Sequence, residues 1–321
     1  MQPLLEVEDL RAHFFMRDAV VKAVDGVSFE IQPGEIVGLA GESGCGKTVT
    51  TQCILRVLPV PGRIVSGDIR LKRQSLLALS KEEMRQIRGR RISIVVQDAL
   101  AALNPVISTG EQIADVLQAH NKVSWKEAWK RAVDVMKNVG IPEPETRAKH
   151  YAHEFSGGMQ QRTVIGAALT CGPDLIIADE PTTALDVTIQ MQILNLLKEA
   201  QQKLGSSVLY ISHDLANIAR ICERVMIMYA GEVVEIASAH YLFNDPLHPY
   251  TRGLLACIPP LGGEPTFYLP AIPGMPPDPV SYPPGCRFAP RCPEAREECG
   301  AERPPLVSVG GGRYVRCLEH K

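Results

Sequence analysis

The chain has 321 residues, enough for one large core with an appendage or for two modest domains. Its content of 45% hydrophobic and 22% charged residues is ordinary for a globular protein, and a net charge of -2 gives no reason to expect nucleic acid as the main partner. The first residues carry acids where a signal peptide would carry bases, and no apolar run is long enough to cross a bilayer, so we expect a cytosolic chain that can dock on a membrane protein.

The first part of the chain has a strand-rich pattern that leads into a glycine-rich loop. Alternating apolar residues over 23–31 and an apolar run over 36–40 predict strands, with a turn at 32–35 between them. Residues 48–58 follow the loop and favour a helix.

The middle of the chain continues with both kinds of pattern. An apolar run over 92–97 favours a strand, and apolar spacings of three and four predict helical structure from about 108 to 150, with a stop at 140–142. Another helix is expected from the serine-glycine segment at 156–158 to Cys171.

Strands and helices alternate further along the chain. Buried strands are expected at 175–178 and 207–212, with a helix over 186–204 between them. Residues 225–228 and 232–236 flank a glycine turn and favour a hairpin. This alternation predicts an α/β fold with a mainly parallel sheet. After about residue 245 prolines crowd together, which predicts an irregular appendage.

The segment 41–48 fits the pattern G-x-x-x-x-G-K-[ST] between a strand and a helix. Backbone N–H groups of such a loop cradle phosphate oxygens, and the helix presents its positive N-terminus to them. Lys47 is expected to reach the β- and γ-phosphates, and Thr48 to offer its hydroxyl to Mg²⁺. The motif alone indicates a nucleoside triphosphate. Its candidate binding residues are Gly41, Glu42, Ser43, Gly44, Cys45, Gly46, Lys47 and Thr48.

An acidic pair follows the expected strand at 175–178. Asp179 at the strand tip is placed to hold Mg²⁺ through water, and Glu180 to orient and deprotonate an attacking water. General-base help of this kind contributes about 10²–10⁴-fold to a rate. Such pairs also occur in plain exposed turns, and the phosphate-binding loop in the same chain favours the catalytic interpretation.

Further segments resemble motifs of the ABC-type ATPases. Residues 155–162 resemble the signature motif with its Ser-Gly-Gly intact, although Phe155 stands where leucine is usual. Residues 179–186 resemble the Walker B segment that continues into the D-loop, and Gln97 and His213 resemble the Q-loop glutamine and the H-loop histidine. On these motifs the chain is identified as a member of the ABC ATPase family.

The resemblance implies a RecA-like P-loop core with an antiparallel β subdomain and a helical subdomain over about 98–170. It also implies that ATP is sandwiched between two subunits, so that hydrolysis requires dimerisation. Gln97 would contact Mg²⁺ or the attacking water, and His213 would hold the γ-phosphate and align the base. The residues expected to close on the ATP of the partner subunit are Ser156, Gly157 and Gly158, and Asp186 of the D-loop is placed with the nucleotide-binding set.

Adenine needs a flat apolar partner, and an aromatic ring provides one. Family members place such a ring upstream of the strand that corresponds to residues 23–26. Phe14 is the best candidate and Phe15 is its neighbour. A core position for Phe14 has nearly equal weight.

A closer resemblance is to the oligopeptide/dipeptide importer subfamily, which also includes nickel and glutathione importers. It rests on the D-loop region 182–190, on the segment 248–255 that begins His-Pro-Tyr-Thr, and on the tail segment 285–293. Residues 98–105 lack the proline that is usual two places after the Q-loop glutamine, which leaves the identity of the membrane partner open.

Four of the nine cysteines lie close together in the tail with the spacing C-x₅-C-x₆-C-x₁₇-C. Four thiolates suit either a tetrahedral Zn²⁺ or a [4Fe–4S] cluster, and in a reducing compartment they suggest metal before disulfides. The spacings are wider than zinc modules favour, and some members of the subfamily resemble this tail and carry a [4Fe–4S] cluster, so the resemblance favours the cluster over zinc. A tail with four reduced thiols is the plain alternative. The candidate ligands are Cys286, Cys292, Cys299 and Cys317.

Cys45 stands inside the phosphate-binding loop where relatives have a small residue. A thiol at a helix N-terminus tends to have a lowered pKa, which would make it oxidisable. A small tolerated residue is the simpler interpretation.

These expectations combine into an ABC ATPase domain over 1–245 and a C-terminal domain with a Cys₄ site over 246–321. The resemblance implies a subunit that powers peptide import at the cytoplasmic side of the membrane. Its partners would be a second, non-identical ATPase subunit, two permease subunits and an extracytoplasmic solute-binding protein. The alternatives are import of nickel, glutathione or another small solute, and a redox-regulated soluble ABC ATPase.

Overall fold

The structure is a computed structural model, and it describes residues 2–183, 185–258 and 270–320. Ala184 of the D-loop segment and the prolines at 259, 260 and 265 lie outside the described residues. The chain falls into two compact units. Ile31–Ile36 and Leu71–Ile211 belong to the first unit with the opening residues up to Leu5, and Glu6–Glu30, Val37–Arg70 and Ser212–Lys321 belong to the second.

The described strands are, in chain order, β1 (Leu5–Phe15), β2 (Val20–Ile31), β3 (Ile36–Ala40), β4 (Gly62–Leu71), β5 (Gln74–Ser75), β6 (Ile92–Val95), β7 (Leu175–Asp179), β8 (Ser207–Ile211), β9 (Arg224–Tyr229), β10 (Glu232–Ser238), β11 (Val307–Gly310) and β12 (Arg313–Val315).

The described helices are α1 (Lys47–Leu55), α2 (Lys81–Ile87), α3 (Ala99–Ala102), α4 (Thr109–His120), α5 (Trp125–Asn138), α6 (Pro144–Arg147), α7 (Gly157–Leu169), α8 (Val187–Leu204), α9 (Leu215–Ile221), α10 (Ala239–Asn244), α11 (Pro249–Ala256) and α12 (Glu297–Ala301). Short 3₁₀ turns add Ala152–Glu154, Ala289–Arg291 and Leu318–His320. None of the helices in the described parts of the chain is long and apolar enough to span a bilayer.

In the first unit β6, β7 and β8 lie side by side and parallel. Every residue of β7 and β8 is buried. Parallel strands that are covered on both faces have nearly continuous apolar sequences rather than alternating ones, as these two strands do. The register pairs Val95 with Ala178. The chain therefore leaves β6 and β7 at the same edge of the sheet, toward Gln97 and Glu180.

The helical pattern of residues 108–150 forms two main helices, α4 and α5, that pack with α7 around a shared apolar cluster. Asn121 ends α4 in an extended conformation, and Ser124 begins α5 by accepting the N–H of Glu127 at 3.3 Å. The tryptophan that opens the pattern, Trp125, is 44% exposed. The pattern positions that are buried are Ala128, Ala132, Met136 and Val139.

The second unit contains strands in the order β11-β12-β10-β9-β3 and a further group in the order β2-β1-β4. β3 is fully buried and parallel to β9, whereas β9 and β10 form the antiparallel hairpin that the sequence predicts. Ala230 and Gly231 at its turn have φ of 47° and 83°, the left-handed pair that a two-residue hairpin turn requires.

The C-terminal region is more regular than its prolines predict. β12 pairs antiparallel with β10 and β11 pairs with β12, so the end of the chain adds strands to this sheet. His248 begins α11, and its Nδ1 accepts the backbone N–H of Tyr250 at 3.0 Å. Residues on both sides of position 245 belong to the second unit, and the division there stays a prediction.

Candidate ATP site

The phosphate-binding loop of the second unit has a backbone that only glycine allows. Gly41, Gly44 and Gly46 have φ of 151°, 78° and 109°. A Cβ on Gly41 would lie 2.1 Å from the carbonyl oxygen of Met228, and one on Gly46 would lie 2.4 Å from that of Ala23. The loop therefore depends on glycine both for its conformation and for its close approach to neighbouring backbone.

Lys47 is only 6% exposed and its ammonium group spans the loop. Nζ donates to the carbonyl oxygens of Gly41 at 2.8 Å and of Glu42 at 2.9 Å. Lys47 is also the first residue of α1, so its positive charge and the backbone N–H groups at the helix start belong to one loop. Thr48 and Ser43 are exposed beside it. This arrangement is suited to binding phosphate groups.

Cys45 is buried rather than reactive. Its Sγ lies 3.8 Å from Nζ of Lys47, and burial raises the pKa of the thiol although that ammonium opposes the effect. A raised pKa leaves little thiolate at neutral pH. The structure therefore favours the interpretation of Cys45 as a small buried residue and contradicts that of an oxidisable thiol.

Glu42 has contacts that the sequence motif does not indicate. Its backbone N–H donates to the hydroxyl of Tyr250 at 3.0 Å. Its carboxylate accepts hydrogen bonds from both terminal nitrogens of Arg291, at 2.8 Å and 3.0 Å. Both partners come from the C-terminal region more than 200 residues away in the chain. The sequence signals for Tyr250 and Arg291 are limited to the His-Pro-Tyr and Cys-x₅-Cys segments that contain them, and neither segment indicates a contact with the loop.

In the first unit Asp179 and Glu180 stand where β7 ends. Asp179 is 8% exposed and is paired with Ile211 of β8. Glu180 has a φ of 48°, which is uncommon for a residue with a side chain and costs of order 1–3 kcal/mol. Its N–H donates to the carbonyl oxygen of Ile211 at 2.9 Å, and its carboxylate accepts from the hydroxyl of Thr183 at 3.1 Å. The turn holds the Glu180 carboxylate in a fixed position beyond the strand.

Gln97 and the signature helix line one groove of the first unit. The groove has a volume of about 490 Å³. The Gln161 side chain donates to the carbonyl oxygen of Val96 at 3.4 Å, which attaches α7 beside the Q-loop. The sequence-predicted residues Gln97 and Gly157 thus share a site. The other lining residues are Asp98, Ala99, Leu100, Gln160, Gln161, Thr183 and Leu185.

The signature serine starts α7, and its side chain makes no capping hydrogen bond within the described residues. Ser156 and Gly157 are exposed. Gly158 is packed against α8, since a Cβ there would lie 2.9 Å from Ile189. Asp186 caps α8 by accepting the N–H of Ile189 at 2.9 Å. The surface formed by Ser156 and Gly157 is therefore open to a partner. Asp186 has the structural role of capping α8, and its role at the nucleotide stays a prediction.

Two predicted residues of the second unit lie on its surface. His213 is exposed and precedes Asp214, the cap of α9. Phe14 is half-buried and packs beside Gly62, where a Cβ would lie 2.8 Å from its ring. Phe15 is 43% exposed, with the guanidinium of Arg63 5.8 Å from its ring centre. The role of Phe14 against adenine stays a prediction.

All four tail cysteines line one cavity of the second unit, which His248 and Phe288 also line. Their sulfurs are free thiols. Burial raises the pKa of Cys286 to about 11 and also raises the pKa of Cys292 and Cys317. His248 is fully buried, and burial lowers its pKa to about 3, so it is neutral at physiological pH.

Within the described residues, no group of three or more His, Cys, Asp or Glu side chains is arranged to hold a single metal ion. The four cysteines share the lining of one cavity without forming such a group. The described residues therefore give no support to a bound metal at this cavity, neither to the zinc alternative nor to the [4Fe–4S] cluster.

Comparison with known proteins identifies the family. Residues 24–183 match the family described as ABC transporter. The chain is also 47% identical over 319 residues to the oligopeptide transport ATP-binding protein AppD of Bacillus subtilis (strain 168), which covers 99% of this chain and 97% of AppD. The chain belongs to the family of ABC transporter ATP-binding proteins. The resemblance seen in its motifs is confirmed, and the chain is an ABC-type ATPase.

Further comparisons extend the similarity into the C-terminal region and over the whole chain. Residues 234–299 match the family described as the C-terminal region of oligopeptide/dipeptide transporters. This range contains the first three of the four tail cysteines. The dipeptide transport ATP-binding protein DppD of Bacillus subtilis (strain 168) is 46% identical over 321 residues, covering 99% of this chain and 95% of DppD.

A solved structure supports the fold of the cassette. The dimeric structure of MJ0796, a bacterial ABC transporter cassette, aligns with a TM-score of 0.66 at 29% identity and covers 73% of this chain and 98% of that one. The predicted α/β P-loop fold is thereby confirmed.

Proposed function

We propose that this chain is the ATP-hydrolysing subunit that powers import of di- and oligopeptides through an ABC transporter. The observation that carries the proposal is the full-length similarity to oligopeptide and dipeptide transport ATP-binding proteins, which extends into their C-terminal region. The geometry of the loop, with buried Lys47 and its glycine backbone, supports the ATP-binding half of the proposal.

The predicted catalytic residues and the phosphate-binding loop each have a place in the proposed reaction. The loop amides, Lys47 and Thr48 bind the triphosphate and Mg²⁺, and Asp179 holds the hydrated ion. Glu180 takes a proton from the attacking water, which Gln97 helps to place. His213 contacts the γ-phosphate. Ser156 and Gly157 close on the ATP of a partner subunit, since they are exposed at the start of a helix.

The proposed partners follow from this role. A second cassette completes the sandwich around ATP, and the subfamily resemblance favours a non-identical one. Two membrane permease subunits receive the motion of the cassettes, and an extracytoplasmic binding protein delivers the solute. The chain would then sit at the cytoplasmic face of the membrane as a peripheral subunit.

The transported solute is tested with a deletion strain. Removal of the gene is expected to abolish uptake of radiolabelled di- or tripeptides, and re-expression of the wild-type chain to restore it. Re-expression of the Lys47→Ala variant serves as the matched control and should not restore uptake, because the loop loses its ammonium group. Unchanged peptide uptake together with loss of nickel or glutathione uptake would contradict the peptide assignment.

We infer that the four tail cysteines hold a [4Fe–4S] cluster. Such a cluster takes four thiolates, each on a different iron, and four cysteines line this one cavity. Backbone N–H groups interact with three of the sulfurs: those of Phe288 and Ala289 with Cys286, that of Glu294 with Cys292 and that of Glu319 with Cys317. These donors lower the pKa of the three thiols, although burial has the larger effect and raises it. Bound there, the cluster would cross-link the turns between residues 286 and 317.

The metal content gives a direct test of this site. Protein purified anaerobically is expected to be brown and to contain iron and acid-labile sulfide in equal amounts. Cys286→Ser and Cys317→Ser should lose most of both, whereas Cys257→Ser, outside the cavity, should keep them. Colourless wild-type protein with one zinc per chain would refute the cluster.

A further inference from the structure

An acidic side chain lies in the phosphate-binding loop. Glu42 follows Gly41, and its carbonyl oxygen accepts from the ammonium of Lys47 at 2.9 Å. The loop binds an anion through backbone N–H groups and this ammonium. A carboxylate at such a place opposes a bound triphosphate unless a cation neutralises it.

Arg291 is the cation that neutralises Glu42. Nη1 and Nη2 of Arg291 donate to the two carboxylate oxygens at 2.8 Å and 3.0 Å, the two-pronged geometry that makes arginine–carboxylate pairs strong. The Arg291 side chain is 5% exposed and the Glu42 side chain 27% exposed. The pair is thus shielded from salt and water far more than a surface pair.

The surrounding C-terminal region holds the guanidinium in place. Its Nε donates to the carbonyl oxygen of Pro273 at 3.0 Å, and Nη1 lies 3.4 Å from the hydroxyl of Tyr229. Arg291 ends the turn Ala289–Arg291 and directly precedes Cys292. The chain segment that carries the cysteines therefore also carries the partner of Glu42.

Glu42 is also held through its backbone. The N–H of Glu42 donates to the hydroxyl of Tyr250 at 3.0 Å. Tyr250 is fully buried, and its ring lies 4.5 Å from that of Tyr229 and 5.4 Å from that of Phe288. Glu42 is thus fixed at its backbone and at its side chain by one packed group of C-terminal residues.

We propose that Arg291 is a positioning residue for the phosphate-binding loop, and that through it the C-terminal region sets the affinity of the loop for ATP. Arg291 compensates the negative charge of Glu42 beside the triphosphate site and holds the side chain of Glu42, whose carbonyl group accepts from Lys47. This inference rests on the proposed ATP-binding role of the loop. It goes beyond that role because it adds a residue outside every nucleotide-binding motif.

Binding measurements on the full chain test the proposal. Titration calorimetry with Mg²⁺ and a non-hydrolysable ATP analogue is expected to show a Kd raised roughly tenfold for Arg291→Ala, since an uncompensated carboxylate then lies beside the phosphates. KM for ATP should rise by a similar factor while kcat changes little. Arg291→Lys keeps the charge but loses the two-pronged contact, so its Kd should lie between those of the wild type and of Arg291→Ala. That variant also serves if Arg291→Ala does not fold.

The charge argument predicts a rescue that a merely structural role would not give. In the double variant Arg291→Ala/Glu42→Gln the opposing carboxylate is gone, so Kd should return close to that of Glu42→Gln alone. Arg313→Ala is the matched control, because Arg313 is a C-terminal arginine with a side chain 12% exposed, paired with Asp245 at 2.8 Å and lying 4.9 Å from the ring centre of Tyr241. Its Kd should equal the wild-type value.

Two results would overturn the inference. One is a Kd for Arg291→Ala equal to that of Arg313→Ala, and the other is a double variant that binds as weakly as Arg291→Ala. Both concern ATP binding by the isolated chain and do not depend on the transported solute. Unchanged peptide uptake in the deletion strain, together with the expected pattern of Kd values, would count against the proposed function and leave this inference standing.

Discussion

Glu180→Gln is expected to reduce ATP hydrolysis by about 10²–10⁴-fold while ATP binding is retained. Glutamine has the size of glutamate and can keep the hydrogen bond from Thr183, but it cannot accept a proton from water. The phosphate-binding loop belongs to the other compact unit and is unchanged. Steady-state ATPase assays and equilibrium binding measure the two effects separately.

The same variant should accumulate ATP-bound dimers, because in the proposed reaction the closed sandwich reopens only after hydrolysis. Size-exclusion chromatography with Mg²⁺ and ATP is expected to show a dimer peak for Glu180→Gln, or a mixed dimer if the second cassette is supplied. Glu199→Gln is the matched control: Glu199 lies exposed on α8 and pairs with Lys203 at 3.0 Å. Hydrolysis by Glu180→Gln at the wild-type rate would show that Glu180 is not the base.

Arg287→Ala is expected to cause the largest loss of stability among single ion-pair variants. Arg287 is 5% exposed and contacts two buried carboxylates, those of Asp25 and Glu232, and it donates to the carbonyl oxygen of Ala230 at 2.5 Å. Breaking a buried pair costs about 3–5 kcal/mol. Without Arg287, Asp25 keeps Arg11 and Arg303, and Glu232 keeps Arg303, so we expect a loss near the lower end of that range. For a protein of this size Tm should fall by roughly 10 °C, measured by scanning calorimetry.

An exposed arginine of the same region provides the control. Arg296 pairs with Glu319 at 3.3 Å, and their side chains are 61% and 45% exposed. Arg296→Ala should change stability by less than about 1 kcal/mol, as is usual for surface pairs. If both variants unfold at the same temperature, the buried network contributes no more than a surface pair.

The ion pairs of Arg287 with Asp25 and Glu232 also make the stability of the fold depend on pH. Burial alone would raise the pKa of Asp25, but the guanidinium groups of Arg287 and Arg303, followed by Arg11, hold it below its usual value. A depressed pKa in the folded state adds stability above the unfolded value, and this stability is lost as the pH falls through the folded value. Below about pH 4 the wild-type chain should therefore lose stability more steeply than Asp25→Asn.

Short-range signals in the sequence were enough to predict the motifs of the cassette. The loop at 41–48, the apolar run before Asp179 and the Ser-Gly-Gly of 156–158 each place their chemistry within a few residues, so motif and local structure agree. The long helical pattern of residues 108–150 was less well defined, because the break between α4 and α5 depends on caps at Asn121 and Ser124 that the apolar spacing does not show.

The sequence by itself determined the ATPase family, the alternation of strands and helices in the cassette and the position of the phosphate-binding motif, since these follow from local patterns. Only the tertiary structure decided that Cys45 is a buried thiol with a raised pKa, because burial comes from distant segments. It also decided that Glu42 is held by Arg291 and Tyr250. A pairing across more than 200 residues leaves no periodic trace in the chain, and only folding brings the C-terminal region to the phosphate-binding loop.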